Sequence, residues 1–594
     1  MQAPSRALLL VSLSFVPVSA AWAADAVDPG QQFRQIYQRE WKWRGQELAG
    51  ASDENGFNDS ADRLPQVDPV NQQRRTAYWQ DVLAQLDKVA PDRLQGRDRV
   101  DYPVYRQQIE TLLDRQKFRA WEMPFNSDTA FWTDLGYTAR TPIRDAEGYR
   151  RYLHLVADIP RYFDQQIANM RAGLARGFSQ PAITLAGRDQ TIAEVAAARG
   201  EANLFYTPFK SMPAGMPSAE QAQLRGQALK LIAERVAPAY AGLLKFMREE
   251  YAPKARTTLA AELLPDGRDY YRAQIREYVT ADMDPEQVHQ TGLREIARLR
   301  GEMERVMDEV GFKGRSPQTR FADFLRFLRT DPQFYAKTPS QLLQQAAWIA
   351  KVMDGNIDKY FGRAPRQRFT IKPVPNDIAP FYTGGRGGID TYWLNTYDLP
   401  SRPLYVLPAL TLHESSPGHS LQMSLASEDT GLPDFRRYSY LSAYGEGWAL
   451  YCEYLGQEMG IYTTPYERFG YLTYQAWRAA RLVIDTGIHH KGWTRERAQA
   501  YLRDNTALSE HEIGTEVDRY IGWPGQALSY YLGELKILEL RARAERALGP
   551  KFDIRAFHDE VLSLGAVPLP VLEQRMDGFI ADGGKSPWAD DKAR

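Results

Sequence analysis

The sequence predicts a mainly α-helical fold, a two-lobed helical body around a cleft with one small β-sheet, and three observations predict it. Apolar residues recur every three or four positions over long, capped segments. The stretch 369–407 alone breaks that rhythm with short β-like runs. No fixed-period repeat or low-complexity linker cuts the chain into modules. At 594 residues, 43% hydrophobic and 25% charged, the composition is that of a folded protein and excludes disorder and collagen. Lys plus Arg is 74 against 75 for Asp plus Glu, so a net charge of -1 gives no general attraction to phosphate backbones, and nucleic acid is not expected as a partner.

In chain order, the first element expected is a signal peptide over 1–23. Arg6 precedes an apolar stretch from Ala7 to Val18, and Ala21-Trp22-Ala23 fits an A-x-A cleavage site. That stretch is shorter than the ~20 residues of a spanning helix, so periplasmic or secreted placement without a membrane span is expected. Cys452 is the only cysteine and lies far from the cleavage region, so neither an internal disulfide nor a lipidated cysteine there is expected. Helical patterns fill Arg74 to Leu113 and Glu220 to Arg248, within an N-terminal helical lobe over 24–280. The second lobe, 281–594, opens with Asp284-Pro285-Glu286-Gln287, an N-cap, a first-turn proline and a capping-box glutamine. Leu293, Ile296, Leu299, Met303, Val306 and Val310 then form its apolar face, and Gly311 ends it. Another helix starts at Thr338-Pro339 and runs through Leu342, Ala346, Ile349, Met353 and Ile357. Phe369-Thr370-Ile371, Thr391-Tyr392-Trp393-Leu394 and Leu404-Tyr405-Val406-Leu407 read as strands. Between them, Thr383-Gly384-Gly385-Arg386-Gly387-Gly388 reads either as a lid that lets backbone approach a ligand or as a surface loop.

The chemistry follows that sheet. His413-Glu414-Ser415-Ser416-Pro417-Gly418-His419 resembles the H-E-x-x-H pattern, in which two histidines bind zinc and the glutamate activates water. Here the histidines are six apart, about 120° from each other on a regular helix, so a straight helix could not chelate with both. Pro417 lacks an amide hydrogen and crowds the carbonyl of His413, while Gly418 tolerates unusual dihedrals, so a bulge or break is expected between them. Glu446 and Glu453 are seven apart, on one helical face, where one could ligate and the other support. Their apolar neighbours Trp448, Leu450 and Tyr451 argue against two merely solvated glutamates. Two histidines and one carboxylate leave a fourth position for water. Oxyanion and leaving-group donors would come from His489, whose alternative role is capping a helix C-terminus, and from Tyr530. Arg481 and Arg519, with Arg478, could hold a peptide carboxylate or serve as ordinary salt-bridge partners.

Four segments, 413–419, Glu446-Gly447-Trp448-Ala449-Leu450-Tyr451, Asp485-Thr486-Gly487-Ile488-His489-His490-Lys491-Gly492-Trp493 and Pro524-Gly525-Gln526-Ala527-Leu528-Ser529-Tyr530, resemble the bacterial domain-of-unknown-function family 885, described as metallopeptidase-like. More distantly, the order of His-Glu-His and then a Glu-x6-Glu pair is similar to the helical gluzincin peptidases of the thimet-oligopeptidase, angiotensin-converting-enzyme and Taq-carboxypeptidase groups. That resemblance implies zinc ligands at His413, His419 and Glu446, Glu414 as general base and Glu453 in support. The expected activity is zinc-dependent hydrolysis of short peptides, with one Zn2+ per chain. The alternatives are a non-catalytic metal- or peptide-binding protein and a helical carbohydrate-active enzyme, which would use paired carboxylates and leave the histidines without a role. Oligomeric state is not legible in the sequence.

Overall fold

A computed structural model describes residues 28–48, 62–376 and 379–589; the expected signal peptide lies outside them. Helices dominate, and their ends follow from local chemistry. Asp284 accepts hydrogen bonds from the amides of Glu286 and Gln287 and opens the helix Pro285–Glu309. Gly311 takes a positive φ of 67° just beyond its end, where a side chain would be strained. Thr338 caps Pro339–Asp354 in the same way. That helix stops short of Ile357, which belongs to a separate turn, Ile357–Tyr360. The first predicted helical region divides into Pro69–Leu86 and Asp98–Lys117, and the second begins as Ser218–Leu231 and continues through wider turns.

One position on the Pro285–Glu309 helix departs from the apolar pattern. Leu293 is 37% exposed, and the neighbouring Gly292 faces the helix Pro465–His489 instead. A Cβ at Gly292 would stand 2.7 Å from Val483 and 2.8 Å from Leu482. Close approach of two helices uses the residue that hydropathy does not count.

The sheet has three strands, β1 (Thr370–Pro373), β2 (Gly385–Gly387) and β3 (Thr391–Leu394), in the order β1-β3-β2. β1 runs parallel to β3, with Thr370 opposite Thr391, and β2 runs antiparallel, with Gly385 opposite Leu394. Two expectations are corrected here. The glycine-rich run is not a loose surface loop, because Gly385–Gly387 within it form strand β2. Leu404–Val406 is a 3-10 turn, because Pro403 precedes it and Pro408 sets the next residues into the helix Leu407–Glu414.

Apolar side chains gather in two cores. The larger unites the helices of 29–117 with those from residue 261 onward, burying Phe33, Trp79 and Tyr105 with Tyr271, Leu482 and Leu540. The smaller takes Leu64, Val67 and residues between 125 and 255. The division expected at residue 280 therefore falls inside the larger core, where Tyr271 donates to Asp485 at 2.6 Å.

Replacing Gly292 with valine is expected to destabilise the protein by ~1–3 kcal/mol through overpacking, whereas Leu293→Gln should change stability by less than about 0.5 kcal/mol. Chemical denaturation of the two variants checks the contrast.

Candidate metal centre

The helix bearing His413 ends at Glu414, and a second helix starts at His419 and runs to Glu428. The break expected between the histidines is present. The Gly418 amide reaches back to the carbonyl of Leu412 at 3.0 Å. A Cβ at Gly418 would lie 2.0 Å from the His413 carbonyl oxygen, so only glycine fits there. The Pro417 carbonyl accepts from the Trp448 indole at 2.9 Å, which fastens the break to the helix Ser442–Glu458. Ser420 and Ser424 donate to the carbonyls of Gly388 and Ile389 and tie the second helix to the loop beyond β2.

With the chain turned this way, the two imidazoles stand edge to face, 4.9 Å between centroids. Both Nε2 atoms meet one oxygen of Glu446, at 3.4 Å from His413 and 3.3 Å from His419. Glu446 comes from the first turns of its own helix, whose Gly447 lies so close to Gly533 that a Cβ would stand 2.5 Å from the Gly533 Cα. The other Glu446 oxygen accepts from the Tyr440 hydroxyl at 2.9 Å. Glu453, two turns further on, is fully buried and receives His413 Nδ1 at 2.8 Å. Hydrogen bonding to a carboxylate assigns the proton to Nδ1 and leaves the Nε2 lone pair for a cation. Arg478 Nη2 stands 3.6 Å from the same Glu453 oxygen.

His413, His419 and Glu446 form a group able to hold a metal ion. A tetrahedral zinc ion with bonds of about 2.0–2.1 Å spaces its ligands by about 3.3–3.4 Å, and the two donor separations at Glu446 match that spacing. Electrostatics point the same way. Burial alone would pull His413 down, but hydrogen bonds to Glu446 and Glu453 outweigh it and push the imidazole up to about 10. Burial opposes ionisation of Glu446 too, yet His419 and His413 hold its carboxyl well below the usual range. The cluster thus attracts positive charge, as protons or as a metal.

Glu414 lies beside this group. Its Oε2 accepts from the Gly387 amide at 2.6 Å, on the edge of β2. A Cβ at Gly387 would come within 1.9 Å of the Glu414 carbonyl oxygen, which explains glycine in this strand. Tyr382 and Arg386 flank it, with the guanidinium 5.8 Å from the Tyr382 ring and the charges of both Arg386 and Glu414 acting on the Tyr382 hydroxyl. The sequence reading gave no role to Tyr382, Arg386 or Tyr440. Arg386 stood inside the glycine run, where flexibility was the signal read, and Tyr440 precedes Glu446 by six residues.

The remaining predicted residues bond to groups other than the three donors. His489 is completely buried, with Nδ1 accepting from the Ala261 amide at 3.1 Å and Nε2 donating to the Tyr520 carbonyl at 2.8 Å. Both nitrogens are committed to backbone, so it has none to offer a substrate and joins two segments instead. Tyr530, Arg481 and Arg519 form one cluster. Arg481 lies 4.3 Å over the Tyr530 ring and bonds Glu516 at 2.9 Å and the Tyr520 hydroxyl at 3.0 Å. Arg519 donates to Gln526 at 3.2 Å and to the Tyr530 hydroxyl at 3.3 Å. These bonds run within the cluster. One link to the centre is a 2.7 Å contact between Ser529 and Ser442, which sets the start of the Tyr530 helix against the first turn of the Glu446 helix.

Fold and site together define a mainly helical protein with two histidines and a glutamate arranged to hold a metal ion. The chain belongs to the family described as bacterial protein of unknown function (DUF885), whose model matches residues 50–576. Among solved structures, a candidate lipoprotein from Colwellia psychrerythraea is 26% identical, with a TM-score of 0.85 over 94% of this chain and 100% of that one. A candidate lipoprotein of unknown function from Shewanella oneidensis shares the fold at 18% identity and a TM-score of 0.66, over 92% of this chain and 98% of that one. No curated protein matches the chain.

Burial lowers His489 to about 3 and His558 to about 3, so both stay neutral in the fold while the unfolded chain takes up protons below about 6.5. Each is expected to contribute stability that is whole above pH ~6.5 and falls by ~1.4 kcal/mol per pH unit from there toward pH ~3. Denaturant titrations at several pH values should show a shallower acid slope in His489→Gln.

Proposed function

We propose that this protein is a zinc-dependent peptidase of the cell envelope that hydrolyses short peptides. The observation that carries the reading is the meeting of His413 Nε2 and His419 Nε2 on one Glu446 oxygen at zinc-ligand spacing, with Glu453 behind His413 and the Glu414 carboxylate alongside. The resemblance to gluzincins assigns the same residues the same roles. A zinc ion held there supplies Lewis acidity and lowers the pKa of a coordinated water to about 7. Glu453 and Tyr440 fix the orientations of His413 and Glu446, and Arg478 balances the charge of Glu453. Glu414 has one oxygen anchored on Gly387 and the other left to take the proton of the attacking water and pass it to the leaving amine. The Gly387 amide, on the edge strand β2, is taken by Glu414 and holds that carboxylate beside the three donors. Tyr382, which feels the charges of Arg386 and Glu414, and Arg386 are the groups that would meet the developing oxyanion.

Placement in the envelope is supported by the signal-peptide pattern of the first residues and by the description of both structural neighbours as candidate lipoproteins.

Metal analysis and peptide cleavage test the reading together. About one zinc per chain is expected, lost in His413→Ala and kept in Glu414→Gln, and the latter variant should cleave ~10²–10⁴-fold more slowly. Wild-type cleavage by Glu414→Gln would refute the mechanism, and protein purified without chelator yet free of metal would refute the site.

A further inference from the structure

A cavity of about 220 Å³ lies along the same helix face as Glu414. Leu407, Leu410 and Glu414 follow one another at helical spacing, and Leu410 and Leu407 form part of the cavity wall about one turn (~6 Å) and two turns (~10 Å) before Glu414. Strand β2 runs beside that helix, with Gly385 against Leu410 and Gly387 against Glu414, and the preceding Gly384 also lines the cavity. Clefts for drug-sized ligands span about 300–1,000 Å³, so this one is sized for a single large side chain.

The walls are largely apolar, among them Leu342, Leu394 and Tyr474. Three lining residues also carry buried polar atoms without a partner among the described residues, the Tyr405 hydroxyl, the Thr473 hydroxyl and Arg402 Nε. Tyr405 is 3% exposed and Thr473 1%. A buried polar atom left unpaired costs ~1–3 kcal/mol, so three of them in the residues of one wall stand to gain if a polar ligand group opens the wall to them. The Arg402 Nε is a donor only, whereas the hydroxyls both donate and accept, so the set suits a group that accepts and donates as well. The other charges around the cavity are already used. Arg329 donates to the carbonyls of Thr506 and Leu508, Glu510 pairs with Arg503, and Glu512 accepts from Ser509 and faces Arg402 Nη1 at 3.4 Å. A charged ligand group would therefore find Arg402 already facing Glu512 and Arg329 already bonded to main-chain carbonyls.

We propose that this cavity is the specificity pocket for a peptide side chain beside the scissile bond, and that it takes an aromatic ring with a hydroxyl tip, preferring tyrosine to phenylalanine. This rests on the peptidase reading, so the test has one arm that hydrolysis does not enter. In that arm, saturation-transfer NMR measures binding of N-acetyl-tyrosinamide to the wild type and to Ala507→Phe, which adds a ring to the cavity wall. Binding is expected in the wild type and lost in Ala507→Phe, with zinc content the same in both. In the second arm, matched peptides carrying Tyr, Phe or Ala are compared. Tyr should exceed Phe by about tenfold, the worth of one good hydrogen bond, and Thr473→Val should erase most of that preference while keeping aromatic over Ala. Equal binding by the wild type and Ala507→Phe, or Tyr and Phe peptides cleaved alike by the wild type, overturns the proposal. Tyrosinamide binding that Ala507→Phe abolishes, in a protein that cleaves no peptide, upholds the pocket and overturns the peptidase reading instead.

Discussion

The whole centre depends on a main-chain constraint between His413 and His419. Within four residues the chain must leave one helix, turn and enter another so that two imidazoles arrive at the same carboxylate oxygen. Gly418 makes the turn sterically possible, since any Cβ there would run into the His413 carbonyl. Pro417 removes an amide that continued helix would need, and its carbonyl is instead used by Trp448. Because Trp448 is two residues from Glu446, the bond that anchors the turn also sets the distance between the histidines and their third partner. A small shift at the break would separate donor atoms now held at 3.3 and 3.4 Å.

Behind the first donors lies a buried polar network whose charges must balance. Glu453 is fully buried, and one of its oxygens is shared by His413 and Arg478. Removing a partner from such a buried pair costs ~3–5 kcal/mol, because the remaining charge stays out of water. Glu534 lies near enough to feel Glu453. Burial, and then the charge of Glu453, push its carboxyl well above the usual range, and it accepts from the Gln475 amide at 3.0 Å. Arg478 extends the network by stacking 4.1 Å over Trp477, whose ring also carries Arg481 at 4.6 Å. The arginine cluster at Tyr530 is thereby connected to the centre through packing, although it shares no ligand with it.

The parts of this arrangement legible in the sequence are those that a local rule determines. The spacing of seven put Glu446 and Glu453 on one face, the proline and glycine marked the break, and Asp284 and Thr338 marked helix starts. What escaped depends on distant partners. Leu404–Val406 has strand-like residues but no neighbouring strand, and its prolines feed a helix. The glycine run looks flexible alone, and only the nearby Glu414 and Tyr392 show that its missing side chains make room. His489 carries the residue type of a catalytic donor, but the segments that occupy its nitrogens lie 228 and 31 residues away. Gly292 and Leu293 exchanged roles because helix proximity, not hydropathy, selects the contact residue.

Tyrosine is abundant, with 33 in the chain. The structure uses many of these rings as buried cross-links. Tyr102, Tyr149, Tyr152, Tyr240 and Tyr444 are buried and direct their hydroxyls onto main-chain carbonyls of Leu86, Pro208, Phe205, Trp132 and Val561. Each satisfies a carbonyl while its ring fills the core, which suits a chain whose one cysteine precludes an internal disulfide. Tyr462 does the same for the carbonyl of Glu453 itself at 2.6 Å. Against that background a buried tyrosine with an unpartnered hydroxyl departs from the usage of the rest of the molecule. Tyr405, on the wall beside the metal-bearing helix, is such a residue, and its isolation carries more information than its aromaticity.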